Sequence, residues 1–176
     1  MKKTILNALV AGCFAAIAGT AMADSGNVAF IGEITNSPCS IGGGQQGSNM
    51  TVSMGSISTN MFSAVGDKSP EVDFSISLLG CDTSTLSTAT IAFRPSAGSV
   101  INSRLLGLEN GTGARGVAVG LKKADGTAIV VGGSGETYGL VDGNNILNFK
   151  AFYEATEASV TAGPANARAV FEVTYS

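Results

Sequence analysis

From residue 27 onward, apolar side chains recur at every second position in short runs. Val28, Phe30, Gly32 and Ile34 share one parity, as do Met50, Val52 and Met54. Val72, Phe74, Ile76 and Leu78 form the clearest alternating stretch, and Ile91 and Phe93 a shorter one that ends at Pro95. Val117, Val119 and Leu121 follow, then Ile129 to Val131, then Leu147, Phe149, Ala151 and Tyr153. Ala169, Phe171, Val173 and Tyr175 complete the series at the C-terminal end. A period of two places one face inward and one outward, the signature of half-buried strands. Between the runs stand Gly66-Asp67, Asn110-Gly111, Asp125-Gly126, Gly132-Gly133 and Asp142-Gly143. Such pairs favour tight turns because their positions tolerate positive φ. Lys122 to Thr127 reads as a hairpin, and 56–66 has room for a single helical turn. Many short strands at this spacing predict an all-β sandwich with no long helix.

The start of the chain breaks this pattern. Lys2 and Lys3 precede an apolar run from Ile5 to Ile17, and Ala21-Met22-Ala23 closes it. A basic start, a short apolar core and a small-x-small end are the parts of a secretory signal peptide, with cleavage expected after Ala23. The run is too short and interrupted to span a bilayer. Cys13 lies within this apolar run, and a lipoprotein is not expected. Removing 23 of the 176 residues leaves 153. Lys2 and Lys3 go with the leader, so eight basic side chains face 13 acidic ones and the net charge falls from -3 to -5. Cys39 and Cys81 are then the two remaining cysteines of an exported chain, and one disulfide is the natural reading.

Composition narrows the function. The chain has no histidine and no tryptophan. Zinc hydrolase sites and Ser-His-Asp chemistry lack their ligand and base. An acidic, charge-poor chain is a poor partner for nucleic acid. The carboxylates Asp67, Glu71, Asp73 and Asp82 fall at turns or on solvent faces, where paired glycosidase chemistry is not expected. The acidic residues are too dispersed for a calcium loop, and Gly42 to Gly47 lacks the lysine of a phosphate loop. No cofactor is expected, and the remaining classes are binding and structural. Gly32 is the unusual member of the first run. Glycine weakens a strand, and close approach of another chain is one reason to keep it. A last strand that runs to the chain end is a candidate edge for strand addition.

Four blocks carry a resemblance. Val28-Ala29-Phe30-Ile31-Gly32-Glu33-Ile34 leads to Pro38-Cys39, and Met50-Thr51-Val52-Ser53-Met54-Gly55 leads to Phe62 and Gly66-Asp67. Val72 to Leu79 precedes Cys81. The end combines Tyr153, Gly163 as the fourteenth residue from the C-terminus, and Ala169 to Tyr175 with a penultimate tyrosine. In this order the blocks resemble the type 1 pilin family, the subunits of chaperone–usher fimbriae, across essentially the whole mature chain. The resemblance implies an immunoglobulin-like sandwich lacking its last strand, with no enzymatic activity. It divides the chain into a signal peptide (1–23), an N-terminal donor-strand extension (24–36) and a pilin domain (37–176).

It also implies roles. Val28, Phe30, Gly32 and Ile34 would form the donor strand that enters a neighbouring subunit's groove. Phe171, Val173 and Tyr175 would form groove wall and chaperone contact, with Ser176 acting through its terminal carboxylate. Cys39–Cys81 would staple an edge strand to the neighbouring sheet region. The implied partners are neighbouring pilin subunits, a periplasmic chaperone and an outer-membrane usher, with assembly on the cell surface. Asp24, Ser25 and Gly26 are the only residues between the expected cleavage site and Asn27-Val28, a shorter arm than is usual in major pilins. The rank therefore stays open between major shaft subunit and minor or accessory subunit. An adhesin would be expected to carry a further lectin domain.

Overall fold

The structure is a computed structural model that describes residues 27–29, 34, 37–43, 47–109 and 113–176. The expected signal peptide, Phe30 and Gly32 lie outside the described residues. The chain has two compact units, Met1–Ile34 and Thr35–Ser176. In the first unit, Val28 and Ile34 are exposed.

The second unit is all-β. Its strands are β1 (Ser40–Ile41), β2 (Val72–Cys81), β3 (Thr88–Ala97), β4 (Val100–Ile101), β5 (Leu105–Leu106), β6 (Val117–Lys123), β7 (Ala128–Ile129), β8 (Glu136–Gly139), β9 (Gly143–Ala155) and β10 (Arg168–Tyr175). One sheet has the order β1-β2-β9-β6-β5-β4, with β7 paired to β6. The other has the order β10-β3-β8, and all of the ladders are antiparallel. Neither sheet closes into a barrel, so this is the sandwich that the alternating pattern predicts, in the incomplete form that the resemblance implies.

The two sheets meet on an aromatic cluster. Phe149 of β9 stacks on Phe74 of β2 at 5.3 Å and meets Phe93 of β3 and Tyr138 of β8 edge-on at 5.3 and 5.9 Å. Both sheets thus contribute rings in the offset and T-shaped geometries that aromatic quadrupoles favour. Ile76, Leu78 and Ile91 are fully buried in the same core.

Several local structures follow the sequence closely. In the β6–β7 hairpin, Gly126 donates to the Lys123 carbonyl at 3.0 Å and Lys123 donates to the Thr127 carbonyl at 2.9 Å. Gly126 closes the turn at φ 89°, a conformation that costs glycine little. The helical turn expected within 56–66 is a short 3-10 turn at Thr59–Met61, with the Ser58 side chain accepting from the Asn60 amide.

Other features depart from the expectation. The Ile91–Phe93 run does not end at Pro95, since β3 continues to Ala97. Pro95 opposes Ala169, and the register shifts between Arg168 and Ala169, so a bulge absorbs the missing amide. The alternation does not announce β1, β4, β5 or β8. The β4–β5 turn carries Asn102 at φ 49° and Ser103 at φ 58°, left-handed residues at both central positions without a glycine to announce them. Met50 to Ile57 belongs to neither sheet, although its burial still alternates: Met50, Val52 and Met54 are half-buried and Thr51 and Ser53 exposed.

The outer face of the larger sheet holds a second packed layer. Phe152 is buried there beneath the ammonium groups of Lys68 and Lys122, at 5.4 and 4.8 Å from its ring centroid. The ring lies over Gly120, where an added Cβ would come within 2.4 Å of it. Gly120→Ala therefore forces the ring or the strand to shift and is expected to cost about 1–3 kcal/mol, read as a lowered urea midpoint. Next to Phe152, the buried Glu154 accepts from Arg104, with Lys68 at 4.0 Å.

Candidate functional site

The functional feature of this fold is an edge rather than a pocket of reactive groups. β10 is bonded to β3 on one side and is the end strand of its sheet. Its alternation is complete: Ala169, Phe171, Val173 and Tyr175 face inward, while Arg168, Val170, Glu172 and Thr174 face out. The inward residues stand opposite Pro95, Phe93, Ile91 and Ala89 of β3. Phe93, Ile91 and Ala89 are buried to 5% exposure or less, whereas Phe171, Val173 and Tyr175 remain only half-buried. Strands in register on one face should be covered alike. The difference marks the place where the sandwich is open.

Along the Arg168–Phe171 part of β10 runs a groove of about 1250 Å³, with Val173, Tyr175 and Ser176 outside its lining. Met50 to Ile57 forms one wall, and 160–171, leading into β10, forms the other. Phe74, Phe93, Val119, Ala151 and Tyr153 lie along it, an apolar floor drawn from both sheets. The second wall is positioned by Tyr153, whose hydroxyl donates to the Ala165 carbonyl at 2.7 Å. Arg115 and Thr161 form an isolated bridge beside it, and Glu109 donates its amide to the Asn166 carbonyl at 2.8 Å. The wall is thus anchored from behind while its free edge faces the opening. Such an edge presents alternate unpaired N–H and C=O groups, which are a template for a further strand.

The C-terminus is tied to the start of β3. The Ser176 carbonyl accepts from the Thr88 amide at 2.9 Å and the Ser87 amide at 3.1 Å, and the Ser176 amide donates to the Thr88 carbonyl at 3.1 Å. Cys39 and Cys81 are bonded, 42 positions apart. Cys39 immediately precedes the edge strand β1, and Cys81 ends its ladder partner β2, so the bond joins neighbours within one sheet. Asp82 adds a backbone bond to the Pro38 carbonyl at 3.0 Å.

The carboxylates weighed as catalytic candidates are scattered and engaged in structure. Asp67 accepts from the Ser63 and Ala64 amides, both at 2.7 Å. Glu71 pairs with Lys122 and with Lys150, and these two ammonium groups hold its carboxyl below the usual range. Ser84, through its hydroxyl and then its amide, does the same for Asp82. Asp73 is exposed on β2. A general acid at neutral pH needs a raised carboxyl pKa, the opposite of what Glu71 and Asp82 show.

Asp125 and Asp142 are likewise held low, Asp125 by the Thr127 amide and then its hydroxyl, Asp142 by the Thr83 hydroxyl and then its amide. A carboxyl depressed by folding stabilises the fold above its unfolded pKa, and the contribution is lost as pH falls through the folded value. Stability is therefore expected to be flat from neutral pH down to about 5 and to decline below about 4, as urea midpoints across pH would show. Burial pushes the Tyr138 phenol up to about 12. Its contribution is present below about 10, the ordinary tyrosine value, and is lost as pH rises toward 12.

Residues 28–176 match the family described as "Fimbrial protein". The chain belongs to the fimbrial protein family. Among its relatives, this pilin is 36% identical over 179 residues to the probable major fimbrial subunit LpfA of Escherichia coli O157:H7, covering 99% of this chain and 97% of that one. It is 33% identical over 175 residues to the type-1 fimbrial protein A chain of Escherichia coli K12, covering 97% and 94%. Among solved structures, the pilin is similar to the P pilus rod subunit PapA, with 30% identity, a TM-score of 0.65, and 80% and 100% of the two chains covered. A subunit of a chaperone–usher pilus solved to explain rod uncoiling gives a TM-score of 0.72 at 29% identity, covering 90% and 100%.

The pilin is a structural, polymerising subunit of a chaperone–usher fimbria. It is exported through the periplasm and assembled on the cell surface, and its partners are other pilin subunits, a periplasmic chaperone and an outer-membrane usher. The sequence reading named β10 residues but not the wall opposite them. The period-two run Met50-Val52-Met54 carries the signal for that wall, but its alternation alone predicts an ordinary sheet strand.

Proposed function

We propose that the groove between Met50–Ile57 and β10 is the site that receives the donor strand, and that residues 24–36 of another copy supply it. The observation that carries this is the half-burial of Phe171, Val173 and Tyr175 opposite fully packed partners on β3. An extended segment laid along β10 would continue the ladder and cover those side chains together. On the donor side, Val28 and Ile34 are apolar and exposed, at 75% and 101%. They share their parity with Phe30 and Gly32. Burying an apolar side chain of this size stabilises by about 1.5–3 kcal/mol, so several in one strand hold subunits together firmly. Gly32 adds no side chain and suits a point of close backbone approach. Ser176 sits where a periplasmic chaperone would meet the end of β10.

The full-length relatives named as a major subunit and as a rod subunit favour a shaft role for this pilin, in which arm and groove of one sequence fit each other. A synthetic 24–36 peptide tests this. It is expected to bind the monomeric chain and raise its melting temperature in a concentration-dependent way. A groove that ignores its own arm yet binds the arm of a different pilin would assign the chain to a minor position.

A further inference from the structure

Downstream of residue 23 the chain has three methionines, and all of them fall within 50–61. Met50 and Met54 line the groove and are half-buried, their side chains alternating with the exposed Thr51 and Ser53. Met61 is 43% exposed and lies outside the groove lining. Thioether side chains are flexible and adapt to whatever packs on them, which suits a wall that must accept an incoming strand. They are also oxidised readily, to a polar sulfoxide that disrupts apolar contacts. An open groove leaves both sulfurs within reach of small oxidants, and a strand laid over them would remove that access.

We propose that Met50 and Met54 make this groove a redox-sensitive acceptor, which peroxide closes to donor strands before assembly and which assembly then protects. The inference rests on the donor-strand reading above. In the step itself the thioether sulfur attacks hydrogen peroxide. An S–O bond forms and the O–O bond breaks. The sulfur loses two electrons, the peroxide is reduced, and the second oxygen leaves as water. The sulfoxides would place two polar groups at the half-buried apolar positions of this wall, where a donor strand's apolar side chains would pack. The reaction is reversible by methionine sulfoxide reductases.

The test treats the full-length monomer with hydrogen peroxide, with and without bound 24–36 peptide, and maps sulfoxides by mass spectrometry. Met61 is the internal reference. Met50 and Met54 are expected to oxidise in the free chain and to be protected by the peptide, while Met61 oxidises in both. Peptide affinity of the oxidised chain is expected to fall at least tenfold and to recover after treatment with both sulfoxide reductases. A Met50→Leu, Met54→Leu double variant should show the same affinity before and after peroxide. Oxidised wild type that binds as tightly as untreated protein overturns the proposal, as does equal oxidation of Met50 and Met54 with and without peptide. Untreated protein that fails to bind the peptide overturns the groove reading itself.

Discussion

Replacing Cys39 and Cys81 together with alanine is expected to remove most of the stability of the isolated subunit. The bond closes a loop of 42 positions. In the chain-entropy picture, opening a loop of that length costs about 4 kcal/mol. A complete domain of this size is typically stable by only about 5–15 kcal/mol. This one leaves an apolar groove open to water, so it belongs at the low end. The loss also falls where the structure has little else. β1 is two residues long and holds its place through one neighbour, β2. The expected result is a urea transition shifted nearly to zero denaturant, with partial recovery when 24–36 peptide is added. A midpoint equal to that of the bonded chain would show that β1 and the Asp82–Pro38 bond suffice without it.

Phe171→Ala is expected to weaken binding of the 24–36 peptide about 30-fold, the equivalent of about 2 kcal/mol of lost apolar contact. Phe171 lines the groove, faces Phe93 across the β10–β3 ladder and is only half-buried in the free subunit. Much of its apolar surface is therefore covered only when a strand binds. The same replacement at Thr174, on the opposite face of β10, is the control. An exposed outward position should change affinity and stability little. Equal loss at the two positions would mean that β10 contributes its backbone alone.

Much of this architecture is legible in the sequence because period-two alternation survives wherever one face packs and the other is solvated. β2, β6, β9 and β10 follow directly from it. The short strands are another matter. β8 contains one large apolar residue, Tyr138, between Gly135 and Gly139. β4 and β5 are two residues each, joined by Asn102-Ser103 rather than a glycine turn. Their pairing is set by tertiary contacts that no local pattern records. Half of the groove was legible for the same reason. Ala169 to Tyr175 reads as a strand at the chain end, hence a possible edge. That Met50 to Ile57 would stand apart from both sheets as the facing wall is not written in its alternation. A strand that pairs and an extended segment that only packs share one apolar period.

The central claim is that this groove takes up the 24–36 arm of another copy. The most direct measurement compares the full-length mature chain with one lacking residues 24–36, each incubated at high concentration and run on SDS gels without heating. A ladder of SDS-resistant multimers is expected from the full-length chain and none from the shortened one, which should instead bind added 24–36 peptide and stop there. A ladder of equal extent from the chain without its arm would contradict it.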